Sequence, residues 1–267
     1  MGATELVRRG VLDRTRALIG WSVGIAAYIA LLAAIFPSLE DSENLDDLVQ
    51  DYPEALKDLL GFGDVLLSTG SGFMDTELFN LMLPLLVLVL AIGSGSRTLA
   101  GEEEAGRLEL PLSYPLLRRD AVLAKSVSLA LELIVVMAIA FAAFALADPL
   151  VGLDLDFERL SGGVLGVTLL GLLHGWLAIA VGAARPGRAL AIAVSAGVAA
   201  VGYLVNGLHD LASWLDPFRF LSSFWWLGQS PLSTGVHYDG CLVLALASAV
   251  VLVAAAILIE RRDLEVP

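Results

Sequence analysis

The chain has 267 residues, of which 57% are hydrophobic, with a formal net charge of −13 and a mean hydropathy of +0.79. Six long apolar runs take up nearly half of that length, so, with the gaps between them, little remains for a separate water-soluble domain. Transport, signalling or intramembrane chemistry is left as the field of function. The lone cysteine, Cys241, excludes an intrachain disulfide framework or a cysteine metal site, and no basic stripe accumulates away from the runs as nucleic-acid binding would need.

In chain order, Ala3 to Arg16 comes first, with Leu6, Val7, Val11 and Leu12 set against Arg8, Arg9 and Arg16. This spacing fits a short amphipathic helix in the membrane interface, or an ordinary basic flank. The apolar runs follow at 17–36, 78–96, 126–147, 162–184, 189–208 and 240–259. Each reaches the roughly 20 residues a helix needs to cross about 30 Å of hydrocarbon. Only helices or closed barrels satisfy their backbone in lipid, and period-2 alternation is missing, so an all-α bundle of six spans is expected. The first run is too long for a signal-peptide core and is expected to remain as a permanent span.

The basic residues orient the bundle. Thirteen of the sixteen Lys and Arg fall in alternate gaps: Arg8, Arg9, Arg14 and Arg16; Arg97, Arg107, Arg118, Arg119 and Lys125; Arg185 and Arg188; Arg261 and Arg262. Only Lys57, Arg159 and Arg219 lie in the others. The positive-inside rule then puts both termini in the cytoplasm.

Between the first two spans, Glu40 to Glu77 holds eleven Asp and Glu against one Lys. A solvated acidic loop is expected there, with a helix over 44–60 interrupted by Pro53 and a turn-rich stretch of glycines after it. The gap at 209–239 is instead aromatic, with Trp214, Phe218, Phe220, Phe224, Trp225 and Trp226 around Pro217 and Pro231. It is expected to sit at the interface as a packed cap or as short half-helices dipping into the leaflet. Glycines four residues apart, Gly20 with Gly24, Gly162 with Gly166 and Gly171 with Gly175, would let helices approach closely.

Two ionisable residues fall inside spans, Glu132 in the third and His174 in the fourth. Charge in a bilayer is costly, so both are candidates for a proton relay. The plainer alternative satisfies Glu132 with Lys125, Ser128 or water, and lets a neutral His174 hydrogen-bond to a neighbouring helix. His209 with Asp210 and His237 with Asp239 are a weak metal candidate, because their spacing supports no site. No catalytic motif appears. The two lysines, Lys57 and Lys125, do not follow glycine, so no P-loop exists to cradle nucleotide phosphates, and neither H-E-x-x-H nor G-x-S-x-G occurs.

The most informative stretch is the gap from Arg97 to Lys125. Ala105, Leu108 and Leu112 can share one helical face, with Glu103, Glu104, Arg107 and Glu109 around it, a form suited to docking in a partner's groove. Here the sequence resembles the permease subunits of type-2 ATP-binding-cassette exporters. Their first cytoplasmic loop reads A-G-E-E-x-G-T-L-[ED]-L-L-L-[SA]-x-P-[VL]-x-R-x-x-[VL]-x-x-K. The matching positions are Ala100, Gly101, Glu102, Glu103, Gly106, Leu108, Glu109, Leu110, Leu112, Ser113, Pro115, Arg118, Val122 and Lys125. Arg107 stands where Thr is usual, and Pro111 where Leu is usual. The resemblance extends to the basic N-terminal segment leading into Leu18–Gly24 and to Arg261–Leu264.

The resemblance implies one transmembrane permease domain over 1–267, with a cytoplasmic coupling helix between the second and third spans. Glu102, Glu103, Glu104, Gly106, Arg107, Leu108, Glu109 and Leu112 would dock on a separate ATPase. It further implies two ATPase chains, a second permease subunit in a homodimer or heterodimer, and no cofactor on this chain, since ATP and Mg belong to the partner. The setting would be a prokaryotic plasma membrane, and the substrate lipophilic or amphipathic, as a polyketide antibiotic is. Two rival readings stand beside it: a proton-coupled transporter using Glu132 and His174, and a membrane assembly protein without transport activity.

Overall fold

A computed structural model describes residues 14–40, 66–104, 118–209, 212 and 214–262. The helix expected over 44–60, most of the basic N-terminal segment, and Gly106, Arg107, Leu108, Glu109 and Leu112 lie outside the described residues. Among the described residues the fold is all-α, without strands. Six helices are long and apolar enough to cross a membrane.

The first span is α1 (Thr15–Glu40). The second is composite: α2 (Gly70–Met74), a π-helical turn (Asp75–Phe79) and α3 (Met82–Glu104). The third, fourth and fifth are α4 (Arg118–Val151), α5 (Phe157–Ala184) and α6 (Arg188–Leu208). A 3-10 helix (Asp216–Leu221) and the short α7 (Ser223–Leu227) fill the aromatic gap. The last span is α8 (Tyr238–Arg261). Five of the apolar runs expected from sequence each sit inside one helix, and the second, 78–96, runs from the π-helical turn into α3. The helices are longer than the runs because a helix keeps satisfying its backbone after the side chains turn polar. Accordingly α1 continues past Pro37 and α4 past Pro149.

The spans differ in how deeply they are embedded. The second span and α5 are the most enclosed, while α6 and α8 expose most of their surface. Central α5 packs on α3, α8, α6 and α4, and α1 packs on α4. The main core runs from Ile25, Ile29 and Phe36 through Leu83, Val87, Leu129, Leu133 and Phe144. Lipid supplies no hydrophobic drive between helices, so close packing must hold them.

Glycine makes the tightest approach possible. A Cβ on Gly95 of α3 would run into the carbonyl oxygen of Gly175 on α5, and one on Gly171 would strike Val87. A Cβ on Gly162 would strike Val236, and one on Gly166 would meet Leu227. Of the small-residue pairs read from the sequence, the two on α5 are therefore packing sites. Gly20 and Gly24 on α1 have nothing within 4 Å.

The basic clusters from alternate gaps converge. Lys125 meets Glu102, Arg188 meets Glu104, and Arg262 meets both Glu103 and Gly182. The described chain ends at Arg14 and Arg262 both reach this end of the bundle, hereafter the basic end.

The expected consequence is that Gly95→Ala destabilises the bundle by about 1–3 kcal/mol, the usual cost of overpacking a filled contact. Gly24→Ala should leave stability unchanged. Thermal unfolding of the purified chain in detergent checks both.

Candidate functional site

Three consecutive glutamates close α3, and each grips a different part of the molecule. Lys125 of α4 donates to Glu102 Oε2. Arg262, just past α8, donates through Nη2 to Glu103 Oε1 and through Nη1 to the Gly182 carbonyl of α5 at 3.0 Å. The backbone N–H of Arg188 donates to Glu104 Oε1 at 2.7 Å.

The last contact has a local cause. Residue Gly187, with φ +121°, makes the turn between α5 and α6 and has no side chain to cap α6. A helix start leaves N–H groups unsatisfied and carries partial positive charge, so a carboxylate is favoured there. Glu104 supplies it from another helix. Arg118 closes the ring by donating to the Arg262 carbonyl at 2.7 Å. The segment leaving Glu104 is thus rooted in α4, α6 and the end of α8 together.

These glutamates are residues the sequence assigned to an ATPase-docking face. In the structure their side chains turn toward the chain's own helices, Lys125 and Arg262 being only 15% and 11% exposed. The remaining docking candidates lie beyond the described residues.

Glu132 sits deeper, with its side chain 4% exposed. Its cation is not Lys125, as the sequence suggested. Arg14 Nη1 donates to Glu132 Oε2 at 3.2 Å, and Ser94 Oγ donates to Oε1 at 3.0 Å. Arg14 Nη2 also reaches the Ser94 carbonyl at 3.2 Å. Lys125 is committed to Glu102, and Ser128 Oγ donates to its own helix at Ala124. Arg14, immediately before α1, supplies the cation, and its planar fork serves carboxylate and carbonyl together.

His174 is 1% exposed, and its Nδ1 donates to the Leu170 carbonyl at 3.0 Å. A carbonyl only accepts, so Nδ1 carries the proton. The bond stays within α5, not across to a neighbouring helix, and no hydrogen bond joins His174 to Glu132.

At the opposite end a second network holds the loop before α8. Asp75, fully buried in the π-helical turn, accepts from the backbone N–H groups of Leu232 and Ser233 at 3.0 and 2.7 Å. Asn80 accepts from the Ser230 N–H at 2.8 Å. Arg159 donates to the carbonyls of Leu232 and Ser233 at 3.1 and 2.7 Å. Sequence reasoning placed Asp75 in a solvated acidic loop, and this is corrected: it is a buried loop anchor. The available signal was its position among Phe73, Met74, Leu78 and Phe79, where a solvated acid does not belong.

Two cavities flank α6. One of about 480 Å³ lies between α3 and α6, walled by apolar side chains including Leu81, Leu85, Leu88, Val89 and Ile192. It reaches the edge-to-face pair Tyr203–Phe224, whose centroids are 5.3 Å apart. Further along α6 lies a larger cavity of about 840 Å³ with mixed polar and aromatic walls. His209, His237 and Asp239 all line this second cavity, yet no group of three metal-ligating side chains is close enough to hold an ion among the described residues.

A bundle of six spans with its polar groups gathered at two ends is a multi-pass membrane protein. Residues 11–264 match the model of the ABC-2 family transporter proteins, nearly the whole length, and the chain belongs to that family. No curated protein matches it.

The Glu132 pairing yields a double-mutant test. Arg14→Ala leaves a buried carboxylate without its cation and should cost about 2–3 kcal/mol. That is less than the roughly 3–5 of a fully buried pair, because Arg14 stays 23% exposed. Glu132→Gln should cost less, and adding it to Arg14→Ala should recover part of the loss, as unfolding in detergent would register.

Proposed function

We propose that this chain is the membrane-spanning half of an exporter of the ATP-binding-cassette kind in a prokaryotic plasma membrane. Two such subunits, identical or related, sit on two separate ATPase chains that bind ATP and Mg. The chain itself carries no cofactor and catalyses no reaction. Membership of the ABC-2 family supports the permease role, and the lack of any P-loop is what a subunit driven by another chain's ATP would have.

The observation that carries the mechanism is the glutamate triplet. In this reading the segment from Glu102 to Leu112 docks in a groove on the ATPase, with Leu108 and Leu112 as apolar anchors. Glu102, Glu103 and Glu104 hold the root of that segment to α4, the end of α8 and α6. When the ATPase pair closes on ATP, a displaced segment pulls on three spans together. A contact equally favourable in both states would transmit nothing, so docking must differ between the closed and open ATPase.

The substrate is lipophilic or amphipathic. The apolar groove of about 480 Å³ between α3 and α6 supports this, since a pocket with so few polar groups rewards apolar surface and penalises buried charge. It opens on the most exposed span, where a compound could enter from the lipid or from between two bundles. The Arg14–Glu132 pair favours a structural role for Glu132 over a proton relay.

Purification with the ATPase gives the test. Binding should fall at least tenfold on combining Glu103→Ala with Leu108→Ala at unchanged expression, and undiminished binding contradicts the docking segment. Ala196→Trp, which fills the apolar groove, should lower transport while leaving ATPase binding intact.

A further inference from the structure

We propose that the 840 Å³ cavity between the end of α6 and the start of α8 binds a substituted ammonium head group, which makes the substrate a cationic amphiphile. The proposal rests on the exporter reading for its place along the path, but the site itself follows from its walls.

Two of the aromatic rings lining the cavity have their polar tips already committed. Trp226 Nε1 donates to the Phe220 carbonyl at 2.8 Å, and the Tyr238 hydroxyl donates to Glu158 at 3.3 Å. What Trp226 and Tyr238 add to the cavity wall is ring surface, held in place by those bonds. Trp225 is held in the same way, edge-to-face against His209 at 5.2 Å and against Phe220 at 6.0 Å. Aromatic faces carry negative quadrupole charge and attract cations within about 6 Å, quaternary ammonium above all.

The molecule already uses this attraction once. The Arg219 guanidinium lies 4.6 Å from the Trp225 ring centroid and 4.9 Å from that of Phe220. Its charge is met by Asp216 at 2.7 Å, so it leaves little positive charge over for the cavity. Among the described lining residues Asp239 is the one acid, and no Lys or Arg joins it. A lining with one carboxylate, two indoles and a phenol beside neutral amides and imidazoles favours a weakly hydrated organic cation over an anion.

The neighbouring groove completes the ligand. Along α6, Ile192 and Tyr203 face the apolar cavity, and Asn206 and His209 face the polar one. Tyr203, at the apolar cavity, is one turn before Asn206, and its ring packs edge-to-face on Phe224, the residue before Trp225. An alkyl chain in the apolar cavity and an ammonium head in the polar one would match both walls.

Choline is the probe, with 3,3-dimethyl-1-butanol as its uncharged isostere, titrated into the full chain in dodecyl maltoside without the ATPase. Choline should bind saturably, and the alcohol about tenfold more weakly or worse, the loss of roughly one good cation–π contact. Asp239→Asn and Trp226→Leu should each weaken choline about tenfold, while Trp214→Leu, at a residue outside the cavity, changes nothing. Asp239→Asn is conservative enough to keep the fold, which the thermal unfolding curve verifies.

Equal binding of choline and the alcohol, or no saturable choline binding by the folded chain, overturns the proposal. If choline fails to bind while the ATPase still docks, the site is wrong and the exporter reading stands. If choline binds and no ATPase docks, the reverse holds.

Discussion

The arrangement of this bundle depends on one constraint: acidic side chains at the membrane boundary must be neutralised by groups from elsewhere in the chain. Glu102, Glu103 and Glu104 close α3 with three adjacent carboxylates, a repulsive arrangement unless each finds its own donor. They find Lys125, Arg262 and the α6 N-terminus. Those partners come from three different helices, so meeting the local electrostatic need fixes the relative placement of four spans. Glu132, one layer deeper, obeys the same rule through Arg14 and Ser94. Removing any one cation leaves a charge that lipid cannot solvate.

The two ends of the molecule solve different problems. At the basic end the contacts are ion pairs between helices, which hold elements together while allowing them to be displaced as a set. At the opposite end, Asp75, Asn80 and Arg159 bind backbone groups of one loop. Between the ends, the glycine contact of Gly95 with Gly175 locks α3 against α5. The exposed α6 is left to border both cavities. A closely packed centre beside an exposed flank is what the proposed path beside α6 requires.

Much of this was legible in the sequence because the bilayer enforces simple rules. The six spans followed from apolar length, and the clustering of basic residues at one end followed from their alternation. The resemblance at Ala100–Lys125 pointed to the family that the chain proves to belong to. Partner choice was not legible. Lys125, seven residues before Glu132 on the same helix, was expected as its cation, whereas the cation is Arg14, 118 residues away. Local spacing ranks neighbours on one helix and is blind to helices brought together by glycine packing. Asp75 was misjudged for the same reason: counted in an acidic run it resembles a solvated residue, and only the loop at 232–233 explains why it is buried. The glutamates at the end of α3 were singled out in the sequence for docking, whereas their inward contacts, which depend on where α4, α6 and α8 end, were not legible there.

The most direct test of the central claim uses the scarcity of lysine. Lys57 and Lys125 are the two lysines in the chain, so a zero-length carbodiimide can join only their amines, or the chain's amino terminus, to nearby carboxylates. Mass spectrometry of the treated permease–ATPase complex should find Lys125 linked to Glu102, in equal yield with and without ATP, if α3 and α4 move together at their basic end. A Lys125 that stays unlinked, or links to a different acid, would contradict the account.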